Sequence, residues 1–214
     1  MSETSSGAPS IAARPKPSSP RKELTVAFGE FVGTFMFLFF HSLQHTINVA
    51  IFADVSGGMF NPAVSAALWV VGLIRWDRAL YSIAAQLFAS ICATLAISAL
   101  LPGPVPFNTA LDPMASVPRG LFLVMFLTAQ LVLTILMLPS GGAKPLYICV
   151  ALFITQLAGI FFTGASLNSA RSFGPAVVVG FHSYDWTYWL GPIIGAGIGA
   201  GMFILIHFLQ KDES

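Results

Sequence analysis

The sequence predicts an all-α integral membrane protein built from two related halves, each carrying a half-length helix that enters the bilayer from one side. Three observations predict it. Of the 214 residues, 56% are hydrophobic and only 9% charged, whereas a soluble domain carries about 25% charged residues. Five apolar stretches approach or exceed the length of about 20 residues that a bilayer crossing needs. One short pattern also occurs twice, at Ser56-Gly57-Gly58-Met59-Phe60-Asn61-Pro62-Ala63 and at Thr163-Gly164-Ala165-Ser166-Leu167-Asn168-Ser169-Ala170-Arg171. Each copy has a hydroxyl residue, a small-residue loop, and an Asn that opens an apolar run.

Met1 to Lys22 holds six Ser, four Pro and four basic residues with almost nothing to bury, so it is expected to be a disordered tail of cytoplasmic type. It lacks the apolar core and small-residue cleavage site of a signal peptide. The membrane domain is expected over residues 23–210, with 211–214 a short second tail. Its candidate spans are Leu24–Ala53, Ala79–Leu101, Leu121–Leu138, Leu146–Phe162 and Tyr188–Leu209. Asn61–Val71 and Asn168–Val179 are about half as long as a crossing requires, and each follows a loop containing Gly. Such backbone is tolerated at membrane depth only where it lines a cavity or is buried in protein. Small residues at Gly191, Gly195, Gly197, Gly199 and Gly201 suit close helix approach in lipid. Trp69, Trp76, Trp186, Tyr188 and Trp189 fall near span ends, as interface aromatics do.

The halves run over residues 24–101 and 121–209, joined by a linker with five prolines between Pro102 and Pro118. Glu30-x-x-x-Thr34 is echoed by Gln130-x-x-x-Thr134. The first half is short, however. Leu24–Ala53 is 30 residues, too long for one simple span and too short for two. Arg14, Lys16, Arg21 and Lys22 favour a cytoplasmic N-terminus, and Arg75 and Arg78 favour the same side for the loop after the first half-helix. A single span between them would separate these groups. The reading adopted is one long or bent helix over Leu24–Ala53, leaving five full spans instead of six.

The repeated motif carries chemistry. At a helix start four N–H groups lack partners and the dipole end is positive. An Asn caps such a start through its side-chain oxygen and keeps amide hydrogens to donate into a lumen. Pro62 suits the first helical position. Two such ends meeting at the midplane of inverted repeats form a transport site, with a barrier to cations. Arg171 adds a fixed charge inside an apolar stretch, which is functional by default. Glu30 reads as a buried acceptor that holds the nearby loop.

Other classes lack support. His41, His45, His182 and His207 show no ligand spacing, so no metal is expected. Nor is a cofactor expected, because no phosphate loop, carboxylate pair or Ser/His/Asp arrangement is present. No basic patch with interleaved aromatics suggests nucleic acid. Cys92 and Cys149 read as small buried hydrophobes.

These residues resemble the aquaporin (major intrinsic protein) family, closest to its fungal water-type members, over about Phe28 to Leu209. The resemblance is carried by Gly29-Glu30-Phe31-Val32-Gly33-Thr34, by Val55 to Val64, by Asn168 to Val177, by Gln86, and by Tyr188-Trp189-x-Gly191-Pro192. It implies an aquaporin-like inverted repeat, a homotetramer with one pore per subunit, and a lipid bilayer as surroundings, most naturally the plasma membrane. It also implies pore motifs at Asn61, Pro62, Ala63 and at Asn168, Ser169, Ala170, where Ser169 replaces the usual Pro. The implied filter is Arg171, His41, Gln156 and Ala165, with Glu30 and Gln130 supporting the loops. Ser172, directly after the filter arginine, is similar to water-selective members, since glycerol-conducting ones usually carry Asp there. The function implied is passive passage of water and other small neutral solutes. The alternative is a non-conducting truncated homologue that assembles with or regulates full-length subunits, suggested by about 30 residues missing before Asp54.

Overall fold

In the computed structural model the described residues are 15, 18–40, 44–103, 105 and 108–211. They form eight helices: α1 (Pro20–Phe40), α2 (Gln44–Phe52), α3 (Pro62–Val70), α4 (Trp76–Leu100), α5 (Val117–Met137), α6 (Lys144–Thr163), α7 (Ser169–Val179) and α8 (Thr187–Lys211). Four of these, α4, α5, α6 and α8, are long and apolar enough to cross a membrane. α1 has 21 residues, and at 1.5 Å per residue it extends about 31 Å, also a full crossing. α1 begins at Pro20, so Pro20, Arg21 and Lys22 belong to the helix and not to the tail. The rest of the expected tail, save residues 15, 18 and 19, lies outside the described residues, as do 212–214.

The expectation of one helix over Leu24–Ala53 is corrected here. The run divides into α1 and the nine-residue α2, and α2 folds back so that Asn48 Nδ2 donates to the Gly33 carbonyl at 3.0 Å. At about 14 Å, α2 covers half a crossing. It packs against α1 and α6.

This return resolves the charge conflict. Arg78 in the first turn of α4 forms a two-pronged ion pair with Glu23 in the first turn of α1, at 3.0 and 3.1 Å. Both helices therefore start on one face of the membrane. Following the crossings, α6 starts and α8 ends on that same face. Arg21, Lys22, Arg75, Arg78, Lys144 and Lys211 all gather there, while Arg119 marks the opposite face.

Two long contacts organise the interior, α1 against α4 and α5 against α8. On α8 the stripe Gly191, Gly195, Gly199 faces α5. A Cβ on Gly195 would collide with the Met125 carbonyl, and one on Gly199 would lie 2.8 Å from the Ala129 carbonyl. Glycine here lets two backbones touch where no hydrophobic effect drives helices together. Gly197 and Gly201, off this stripe, meet nothing. A core of Met59, Ala63, Val64, Ala67, Val132, Leu136, Ala196, Ala200 and Phe203 joins α3 to α5 and α8. Outward faces are apolar and exposed, including Phe88, Phe126, Phe153, Phe161 and Phe208. Trp69, Trp76 and Trp186 are exposed near helix ends, as interface aromatics should be. Tyr188 differs from that expectation, being fully buried.

Candidate functional site: two half-helices tip to tip

α3 and α7 have nine and 11 residues, each about half a bilayer deep. Local chemistry starts them both. Asn61 is extended and accepts the Ala63 N–H at 2.9 Å, with Pro62 at the first helical position. Asn168 is extended likewise and accepts from the Ala170 N–H at 3.0 Å and the Arg171 N–H at 3.3 Å.

The capping residues also bind across the midplane. Asn61 Nδ2 donates to the Leu167 carbonyl at 2.9 Å, and Asn168 Nδ2 donates to the Phe60 carbonyl at 2.7 Å. Each asparagine thus holds the residue that precedes the other. This corrects the expectation that both amide groups are wholly free: one hydrogen on each nitrogen is spent on the opposite loop, and the other remains.

The loops bend sharply to allow it. Phe60 and Ala165 take left-handed φ values of 47° and 50°, a conformation that costs non-glycine residues about 1–3 kcal/mol. The first loop is held by one carboxylate. Glu30 accepts four hydrogen bonds: Ser56 Oγ at 2.7 Å, Met59 N–H at 2.9 Å, Phe60 N–H at 2.7 Å and Gln86 Nε2 at 2.6 Å. Glu30, fully buried, thus ties α1 to the loop before α3 and to α4. Sequence reasoning gave no role to Ser56, or to Ser65, which Gln86 Nε2 also reaches at 3.1 Å.

The second loop is held by hydroxyls instead. Tyr188 donates to the Thr163 carbonyl at 3.0 Å, Thr163 Oγ1 accepts the Ala165 N–H at 3.2 Å, and Ser166 Oγ donates to the Asn168 carbonyl at 2.9 Å. Ser172 joins Ser166 and Thr109. Ser90 of α4 accepts the Gly174 N–H at 2.9 Å and donates to the Ala170 carbonyl. Gln130 takes no part. It lies exposed on α5 and donates to Thr134 of its own helix at 3.3 Å. The fully buried α5 pair at the spacing of Glu30 and Thr34 is Val124 and Thr128, so the structural echo of Glu30 is an apolar residue.

A cavity of about 160 Å³ runs beside the paired caps, large enough for several waters. Asn61, Asn168, Arg171 and Gln156 all line it. So does a stripe at every fourth residue of α6, namely Lys144, Ile148, Leu152 and Gln156, faced by Leu131, Ile135, Val64 and Leu68. Phe37, Val49 and Gly57 to Met59 close the wall on the side of α1 and α2. Arg171 is 7% exposed, and its Nη1 donates to Thr109 Oγ1 at 3.4 Å. Ala165, expected in the same ring, is buried beside Gly159 and is not among the lining residues. Ser169 and Ala170 are fully buried in the first turn of α7. His41 lies outside the described residues. Lys144 was missed, its only signal being the spacing of four that leads back from Gln156.

Among the described residues, five helices of spanning length, two capped half-helices meeting tip to tip and a cavity beside them define a multi-pass membrane protein of the inverted-repeat class. Residues 40–203 match the Major intrinsic protein family, and the chain belongs to that family. It is 42% identical over 228 residues to Aquaporin-2 of Botryotinia fuckeliana, an alignment covering 88% of this chain and 60% of that relative. To Probable aquaporin-3 of Gibberella zeae it is 37% identical over 232 residues, covering 90% of this chain and 81% of the relative. The chain thus spans 60% of the first relative's length. Both alignments are longer than the chain's own 214 residues, so each relative carries residues inside the matched region that this chain lacks. The fold is similar to the X-ray structure of the aquaglyceroporin from Plasmodium falciparum, at TM-score 0.73 and 20% identity, covering 86% of this chain and 95% of that one.

Proposed function

We propose that this chain forms a passive channel for water and other small neutral solutes. The observation that carries the reading is the reciprocal pair of Asn bonds beside a cavity that Arg171 also lines. A water molecule there meets the remaining amide hydrogen of each Asn and the forked donors of Arg171. The facing walls of Leu131, Ile135, Ile148 and Leu152 offer it nothing. It advances by accepting from one donor after another. Cations meet two positive helix ends and a guanidinium, which repel them. Membership of the family supports a homotetramer. The gathering of basic residues at the start of α1, α4 and α6 supports a cytoplasmic N-terminal face, and the plasma membrane is the proposed location.

Stopped-flow shrinkage of proteoliposomes holding this chain tests the proposal. Water permeability well above that of empty vesicles, abolished by Asn61→Leu with Asn168→Leu, is the expected result. Permeability equal to empty vesicles overturns it. It would leave the second reading, a non-conducting homologue that associates with full-length subunits, which the half-length α2 favours.

A further inference from the structure

We propose that Lys144 is a specificity-determining residue, a second fixed cation that guards the N-terminal-side mouth of the cavity against cations. The proposal rests on the channel reading above. Lys144 opens α6 on the basic face, and its side chain lines the cavity together with Leu68, Leu73 and Leu136. Arg171 lines the same cavity beyond the paired asparagines.

Lys144 is kept in place as well as charged. Its Nζ donates to the Leu138 carbonyl at 3.0 Å, across the turn between α5 and α6. A carbonyl accepts this bond without neutralising the charge. Among the described residues, none of the ion pairs involves Lys144, and no carboxylate lines the cavity. The residue is half-buried, where a charge is felt more strongly than in bulk water. A narrow opening with apolar walls and one unneutralised sign of charge focuses that field along its axis. A cation entering from this face therefore meets Lys144 before it reaches the helix ends. Neutral water does not feel the barrier. The two charges act at different depths, so removing one leaves the other in force.

The test is made in proteoliposomes, with water permeability and potassium leak measured on the same preparations. The series is Arg171→Ala alone and then combined with Lys144→Arg, Lys144→Gln or Lys144→Glu. Arg171→Ala removes a donor to water and so sets the baseline of water flow, which the changes at Lys144 should not move; gel filtration and circular dichroism in detergent show that each protein is folded. Potassium leak should be low in Arg171→Ala and unchanged with Lys144→Arg. It should rise about tenfold with Lys144→Gln, and further with Lys144→Glu, the order that charge at a mouth dictates. Leak that is the same for Lys, Gln and Glu at this position, with water flow intact, overturns the role of Lys144 alone. Absence of water flow in the unmodified chain overturns the channel reading instead.

If a double variant fails to assemble, Lys144→Cys in the Arg171→Ala chain is read before and after labelling from the N-terminal face. A cationic thiol reagent should lower the leak and an anionic one raise it. Equal effects of the two reagents overturn the proposal.

Discussion

Gln86 and Ser90 stand one turn apart on α4, and each holds a different half-helix. Gln86 bonds Glu30 and Ser65 on the side of α3, while Ser90 bonds the Ala170 carbonyl and the Gly174 N–H of α7. One rigid helix face thus sets the distance between the two tips. Gln86→Leu and Ser90→Ala should each lower water permeability several-fold, because each frees one tip from the common frame. The combined variant should lose less than the two separate effects predict, since both act on one contact. Stopped-flow measurements on the three proteins decide it, and strict additivity would refute a shared frame.

The paired asparagines should behave the same way in stability. Asn61→Ala removes a helix cap and a cross-loop bond together, a loss of about 2 kcal/mol. Asn168→Ala should cost a similar amount. Thermal unfolding in detergent of the single and double variants measures their coupling, expected at about 1 kcal/mol. A coupling of zero would mean that the reciprocal bonds do not tie the loops.

Glu30→Gln tests the carboxylate that anchors the first loop. All four of its bonds are accepted from donors, so an amide NH₂ placed there faces an N–H it cannot bond. A buried group left unsatisfied costs about 1–3 kcal/mol, and the left-handed Phe60 adjacent to it loses its support. The variant should unfold at lower temperature and conduct poorly. Wild-type permeability would show that Phe60 keeps its carbonyl aimed at Asn168 without help.

Gly195→Val should weaken the α5–α8 contact, since the added atoms meet the Met125 carbonyl and the Thr128 side chain. Overpacking of this kind costs about 1–3 kcal/mol or more. Gly197→Val, on the open side of α8, should be nearly neutral. The comparison by thermal unfolding in detergent separates a packing stripe from a general need for small residues, and equal losses would contradict the stripe.

Arg78→Met should lower stability by about 1–2 kcal/mol, because it strands Glu23, which is only 6% exposed. Glu23→Gln with Arg78→Met should recover part of the loss. Thermal unfolding in detergent checks both, and equal stability of all three proteins would show that the pair does not join α1 to α4.

Both half-helices were readable from residue order because their starts are local events. An Asn whose side chain caps the next N–H groups and a Pro or Ser at the first helical position need no distant partner. The reversal after α1 was not readable. Between Gly33 and Gly57 no Gly or Pro interrupts the run, and hydropathy is the same whether an apolar chain continues or turns back. Among the described residues, the Asn48 bond to Gly33 and the contacts of α2 with α1 and α6 mark the turn. The false echo at Gln130 has a geometric cause. Gln130 lies six residues after Val124, a rotation of about 240° on a helix of 3.6 residues per turn. The same spacing to a Thr therefore points to another face.

By itself the sequence determined that this chain lives in lipid, that two helices stop halfway, and which residues cap them, because solvent preference and helix ends are properties of short segments. Tertiary structure alone decided that each asparagine grips the loop before the other, that Tyr188 turns inward, and that Lys144 stands in the cavity. Those outcomes depend on which faces meet after five crossings, and a face is fixed by rotation and packing that no local pattern records.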